Sequence, residues 1–197
     1  MADDSAPGSF PPGGPTPPLA TGLVYLRPAE RNDVPLFVRW LNDLRTTRTL
    51  LMFSPMSEIL EERWFDQMLE HQGKDRWHFV VCRRADDRPV GVLDLHEVDL
   101  RNGGASLGIL IGDPADTGQG YGSDALRALV GFGFDQLRLE RIQLDVFDYN
   151  DGARRVYERV GFRHEGTLRH AVYRDGAFHD VHRMAILRAE WSSRSLD

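Results

Sequence analysis

Apolar residues along this chain recur with two periods, one near 3.6 residues and one of 2, and the changes of period divide it into elements. From Tyr121 onward, Leu126, Leu129, Val130, Gly133, Phe134 and Leu137 fall at helical spacing, while Asp124, Arg127, Gly131, Asp135 and Arg138 take the opposite side. A second amphipathic helix is predicted from a cap at Asn150 to Val160, with Ala153, Val156, Tyr157 and Val160 inward and Gly161 at the C′ position. Nearer the N-terminus, Asp33 caps a helix through about Leu44, with Pro35 in its first turn and Val34, Phe37, Leu41 and Leu44 inward. Another covers Glu58 to His71, carries Trp64, Phe65 and Met68, and is stopped by Gly73.

Period-2 segments supply the strands. Leu23 to Pro28 is a short one ended by proline. Trp77 to Arg84, Pro89 to Asp99 and Ala105 to Ile111 are joined by turns at Asp86-Asp87 and Asn102-Gly103, which predicts antiparallel neighbours. Arg141 to Phe147 places Ile142, Leu144 and Val146 on one face, and Gly166 to Arg174 and Ala177 to Leu187 flank the hairpin signal Asp175-Gly176. The strand before Gly112, the helix after it and the strand at Arg141 form a right-handed crossover, so those two strands are predicted to be parallel. The fold class is therefore α/β of the mixed α+β kind: a mostly antiparallel sheet with one central parallel pair, flanked by helices.

The stretch from Ile109-Leu110-Ile111 through Thr117-Gly118-Gln119-Gly120-Tyr121-Gly122-Ser123 runs from an apolar strand through a glycine-dense loop into a helix. Glycines keep Cβ atoms off a ligand and permit positive φ, so backbone N–H groups converge on one point, and the helix adds its own unpaired donors. The loop has no Lys or Arg, so a bound phosphate is held by main-chain amides, with Ser123 as side-chain helper. Asp124 in the first turn competes for the same helix dipole unless it points outward. A Walker loop needs Gly-Lys-Ser/Thr and is excluded. A dinucleotide fingerprint finds an acid about twenty residues on, at Asp145 or Asp148, but position 123 is Ser, and Gly112 to Thr117 separate the strand from the glycines.

Composition narrows the setting. A chain of 197 residues with 41% hydrophobic content suits one domain, and a net charge of −6 argues against nucleic acid as the main partner. Residues 1 to 21 hold six of the eleven prolines and are predicted to be a flexible tail ahead of a folded domain over 22 to 197. Cys82 lies in an apolar strand and reads as inert core. Without a signal peptide or long apolar run the chain reads as cytoplasmic, with no membrane partner. His164, Glu165, His170, His179, Asp180 and His182 lack the spacing of a metal site, so no metal is expected.

Thr117 to Gly122 resembles the pyrophosphate loop of the GNAT superfamily of acetyl-CoA-dependent N-acetyltransferases, Gln/Arg-x-x-Gly-x-Gly/Ala, with Thr117 departing at the first position. Asn150 to Phe162 resembles its second signature, Asn-x-x-Ala-x-x-x-Tyr-x-x-x-Gly-Phe, at every marked position. Leu26-Arg27-Pro28 and the ending from Arg174 through Trp191 are similar to the RimJ/RimL-like branch and its spermidine acetyltransferase relatives. The resemblance implies the GNAT fold and transfer of an acetyl group from acetyl-CoA to a primary amine in a ternary complex. The acceptor is a protein N-terminus or a small amine such as a polyamine or aminoglycoside; a homodimer and a CoA-binding sensor with little catalysis also remain open.

By the same resemblance, Ile109, Leu110 and Ile111 pair with the pantetheine arm and donate to the thioester oxygen, and residues 117 to 123 cradle the diphosphate. Asn150 and Ala153 also contact CoA, and Tyr157 is the acid toward its sulfur. On periodicity alone Tyr157 is equally a core tyrosine and Asn150 equally a helix cap. Glu97 is assigned as the base, with His96 second; as strand neighbours they face opposite ways, so only one is expected to point inward. Where relatives often carry an acid before Leu-Gly, this chain has Ser106. The resemblance also implies that the terminal hairpin borders the acceptor pocket, which assigns His170 and Asp180 to its lining.

Overall fold

A computed structural model describes residues 19–52 and 54–192. The order is β1 (Leu19–Ala20), β2 (Val24–Pro28), α1 (Val34–Leu41), α2 (Leu44–Thr47), α3 (Glu58–His71), β3 (Trp77–Arg83), β4 (Pro89–Asp99) and β5 (Gly104–Ile111). There follow α4 (Tyr121–Asp135), β6 (Arg141–Phe147), α5 (Asp151–Val160), β7 (Arg163–Arg174), β8 (Ala177–Leu187) and α6 (Arg188–Ser192). The strands form one sheet in the order β1-β2-β3-β4-β5-β6-β8-β7. All neighbours are antiparallel except β5 and β6, the pair separated by the α4 crossover.

Alternation along the strands gives the sheet two apolar faces. Leu93, Leu95, Leu107, Ile142, Leu144 and Met184 pack under α4 and α5 with Leu126, Leu129, Phe134 and Val160. Val80 and Cys82 point the other way, against Val34, Phe37 and Trp40 of α1 and Phe65 and Met68 of α3. Cys82 is fully buried there and burial pushes its thiol pKa up, in keeping with inert core. At the β6–β8 end of that second face, Phe147, Val172 and Val181 make a third, small cluster.

Two departures from the expected elements have local causes. The helix predicted from Asp33 through Leu44 stops at Leu41, and Asp43 starts a separate turn, its carboxylate accepting from the Arg45 N–H at 2.9 Å. Leu44 is consequently exposed, and Trp40 rather than Leu41 joins the core. Asp33 does not cap α1: its carboxylate is held bidentately by Arg27 at 2.7 Å and accepts the Glu30 N–H at 2.8 Å. Of the predicted tail, Leu19 and Ala20 pair with Leu26 and Tyr25, which carries the sheet three residues into it; residues 1–18 lie outside the described residues. Gly112, after β5, faces the Trp40 indole so closely that a Cβ there would come within 2.0 Å of the ring, and its carbonyl accepts the Thr46 hydroxyl at 3.0 Å. These contacts bring α1 and α2 over the C-terminal end of β5.

Candidate active site

The parallel seam between β5 and β6 is short. It pairs Gly104 with Arg141, Ala105 with Ile142 and Ser106 with Gln143, and beyond Ser106 the two strands separate. β5 stays paired with β4 on its other side out to Ile111. The Gly112 N–H donates to the Val90 carbonyl at 3.0 Å, which fixes the alternation of that antiparallel ladder. Residues 106, 108 and 110 bond toward β4 and the Leu107 N–H is used in the last step of the parallel seam, so the N–H groups of Ile109 and Ile111 face the gap. Of the three strand residues assigned to the thioester, Ile109 and Ile111 thus have amides directed into the opening, while the Leu110 amide belongs to the ladder.

The opening is a cleft of about 1040 Å³. At one end it is lined by Thr117, Gly118, Gly120, Gly122 and Ser123, and along α5 by Asn150, Ala153 and Tyr157; Ile109, Leu110 and Ile111 line its β5 side. Gln119 and Tyr121, also assigned to cofactor binding, are not in the lining. Gly118 and Gly120 take φ of +80° and +88°, the left-handed conformation that turns consecutive amides toward one point, and a Cβ at Gly118 would meet nothing within 4 Å. Gly122 is helical and has no such need. Asp124 does not compete for the helix mouth: its Oδ2 accepts the Thr21 hydroxyl and the Leu23 N–H at 2.6 Å each, and the Val24 N–H at 3.1 Å. Asn150 does cap α5, its Oδ1 accepting from the Ala153 N–H at 3.2 Å, which leaves the amide NH₂ available to the cleft.

Tyr157 is buried on the inner face of α5 and also borders the cleft. Burial pushes its phenol up to about 12, which keeps the proton on the oxygen at any ordinary pH. Across the gap, β4 is interrupted between His96 and Asp99, and Glu97 sits at a φ of +52°. This bulge suspends the strand alternation. His96 and Glu97 therefore both line the cleft, against the expectation that only one would. A hydrogen bond to Asp94, whose Oδ2 lies 3.3 Å from the His96 Nδ1, raises the imidazole pKa against the opposing effect of burial.

A polar row crosses the floor of the cleft. The Ser106 hydroxyl donates to Glu97 at 3.0 Å, the Gln143 amide donates to Ser106 at 3.3 Å, and Arg141 donates to the Gln143 carbonyl at 3.1 Å. Gln143, Asp145 and Arg183 line the cleft too; from sequence Asp145 enters only as the acid of a dinucleotide fingerprint, and Gln143 and Arg183 are not singled out. They occupy the polar positions of period-2 strands, which shows a non-core face without showing that this face borders a cleft. His170 and Asp180, assigned to the acceptor pocket, are not in the lining: the Asp180 carboxylate accepts the His170 N–H at 2.8 Å within a bulged stretch of β7. Among the described residues no group of His, Cys, Asp and Glu is arranged to hold a metal ion. No helix among them is long and apolar enough to cross a membrane.

The comparisons with known proteins agree with this geometry. Residues 24–163 match the family described as an acetyltransferase (GNAT) domain. A probable N-acetyltransferase of Bacillus subtilis is 34% identical over 180 residues, 85% of this chain and 95% of that protein. A spermidine N(1)-acetyltransferase of Vibrio cholerae is 30% identical over 178 residues, 86% and 96% of the two chains. The crystal structure of spermidine N-acetyltransferase from Vibrio cholerae in complex with CoA and spermine superposes with a TM-score of 0.80 at 25% identity, covering 86% of this chain and 98% of that one. The opened sheet, the glycine mouth and both sequence signatures thus have one explanation: the chain belongs to the GNAT family and is an acetyl-CoA-dependent N-acetyltransferase.

Proposed function

We propose that the chain transfers the acetyl group to a primary amine with Tyr157 as acid and Glu97 as base. The observation that carries this reading is one cleft bordered by the glycine mouth, by Tyr157 and, across the gap, by Glu97. The residues suit acetyl-CoA: Gly118 faces open space where a diphosphate fits, Gly118 and Gly120 both hold the left-handed turn of the loop, and the free edge of β5 offers the Ile109 and Ile111 amides to an extended pantetheine arm. When bound, acetyl-CoA supplies a thioester carbon to the amine.

Glu97 pairs with the incoming ammonium and removes a proton from it, directly or through one water, which frees the nitrogen lone pair for attack. The Ile109 and Ile111 amides stabilise negative charge on the acyl oxygen while the C–N bond forms. As the C–S bond breaks, Tyr157 gives its phenolic proton to the sulfur, and the surplus proton left on the acylated nitrogen passes through water to restore the phenol, while Glu97 returns its own proton to solvent; the elevated pKa of Tyr157 means that its proton is present when needed. His96 stands beside Glu97 as a second proton acceptor.

The opening Leu26-Arg27-Pro28 and the hairpin from Arg174 to Val181 support placement in the RimJ/RimL-like branch. The requirement for acetyl-CoA supports a cytoplasmic setting. The outer edge strand β7, with Leu168 and Tyr173 exposed, supports a homodimer; one Vibrio cholerae spermidine N-acetyltransferase structure is described as dodecameric.

Tyr157→Phe separates the roles of this residue. Loss of the hydroxyl is expected to lower kcat by about 10²-fold while the acetyl-CoA Kd, read by calorimetry, stays within about twofold. Equal kcat in the two proteins would remove Tyr157 as the acid.

A further inference from the structure

Among the described residues, three carboxylates line the cleft: Glu97, Asp116 and Asp145. Two are already neutralised. Asp116, buried, is gripped by both terminal nitrogens of Arg88 at 2.8 and 2.5 Å. Asp145 is held bidentately by Nε and Nη2 of Arg183 at 2.9 and 2.8 Å. Glu97 has no such partner; its bond is the one from the Ser106 hydroxyl.

The direction of the bonds leading to Glu97 is fixed by Arg141. A guanidinium only donates, so the Gln143 carbonyl must face it and the Gln143 NH₂ must face Ser106. Ser106 accepts that bond and has a single proton left, which goes to Glu97. The charge on Arg141 is itself matched by a bidentate pair with Glu165, so no cation reaches Glu97 through the row. Glu97 is therefore hydrogen-bonded by a neutral hydroxyl; Arg183, whose charge also acts on it, is committed to Asp145, and His96 beside it is bonded to Asp94, so Glu97 is the one of the three cleft carboxylates without a bidentate guanidinium.

Beyond Glu97 the same face of the sheet changes character. Gln143, Asp145 and Phe147 alternate on β6, and Val181 and Arg183 on β8, so all five share one side. Phe147, Val172 and Val181 form an apolar wall there, and Leu168 lines the cleft beside them. A second ammonium group on the acceptor would meet the Asp145–Arg183 pair, whose net charge is zero, or the apolar wall. At that solvent-exposed pair, or at the wall, it would find no unspent counter-charge.

We infer that the acceptor is an amine carrying one positive charge next to an apolar body, and that polyamines are disfavoured. This rests on Glu97 being the group that receives the ammonium. The test compares hexylamine, a monoamine, with spermidine, a triamine, on the full chain. kcat/KM is read by thiol release, and binding in the presence of CoA by calorimetry, so the ranking does not depend on turnover alone. Hexylamine is expected to exceed spermidine in both; spermidine equal or better, or no binding of hexylamine, overturns the inference.

Arg183→Gln releases Asp145 and is expected to raise the spermidine to hexylamine ratio of kcat/KM by about tenfold, the equivalent of about 1.4 kcal/mol. An unchanged ratio in a variant that still binds acetyl-CoA also overturns it. Glu97→Gln reports on the underlying reading separately: it should lose activity toward both amines alike, and full activity toward both would remove Glu97 as the receiving group whatever the preference between amines.

Discussion

Glu97 occupies a backbone conformation that costs an ordinary residue about 1 kcal/mol or more, and the bulge that imposes it turns two neighbouring side chains into one cleft. A sequence shows the pair His96-Glu97 but not the bulge, because a bulge is a property of pairing between strands and depends on where β5 ends its match with β4. Ser106 is the residue that steadies Glu97. If Ser106 acts only through Glu97, the two substitutions are not additive. Ser106→Ala alone is expected to lower kcat/KM for the amine about tenfold with acetyl-CoA affinity unchanged, and Ser106→Thr to restore most of it. In a Glu97→Gln background Ser106→Ala should cost nothing further; a full additional loss, measured by steady-state kinetics, would show that Ser106 contributes independently.

At the scale of elements, helix α4 is held at its mouth by a side chain whose part in the fold is hidden in the sequence. Asp124 reads there as a local competitor for the helix dipole, because its partners Thr21, Leu23 and Val24 lie about a hundred residues away. The three bonds tie the chain before β2 to the first turn of α4, beside the glycine loop. Asp124→Ala is expected to lower stability by roughly 2 kcal/mol, read from urea unfolding, since two backbone donors and a hydroxyl lose a charged acceptor. The extents of α3, β4, β6 and β8 were legible because each has a clean period and a clear stop. The break after Leu41 was not: the spacing of Leu41 and Leu44 continues the helical period, and only the Asp43 cap, followed by the Thr46–Gly112 contact, redirects the chain. Likewise the glycine mouth was legible from its own residues, whereas Gln143, Asp145 and Arg183 enter the site only because β6 separates from β5.

At the scale of the whole molecule, stability is set partly by two buried ionisable groups on the α1/α3 side. Burial lowers the His78 pKa from 6.5 to about 4, and the ring packs edge-on against Trp64 and Phe37. The unfolded chain takes up that proton as pH falls through 6.5 and the folded chain only near 4, so stability is lost across this window. Burial raises Glu61 from 4.5 to about 7, so the unfolded chain ionises first and stability is lost as pH rises from 4.5 to 7. Thermal unfolding should therefore show His78→Phe weakening the acid-side decline, and Glu61→Gln raising the Tm at pH 8 while leaving it unchanged near pH 4. The same molecule contains a wedge. Eight strands are zipped edge to edge except at β5 and β6, where three paired residues join what are otherwise two half-sheets. Anything slender enough to slide into that wedge and bond to the bare rim of β5 becomes a ligament between the halves. Tight binding and a stiffer frame are then one quantity measured from two ends, and a mutation that loosens either must be felt at the other.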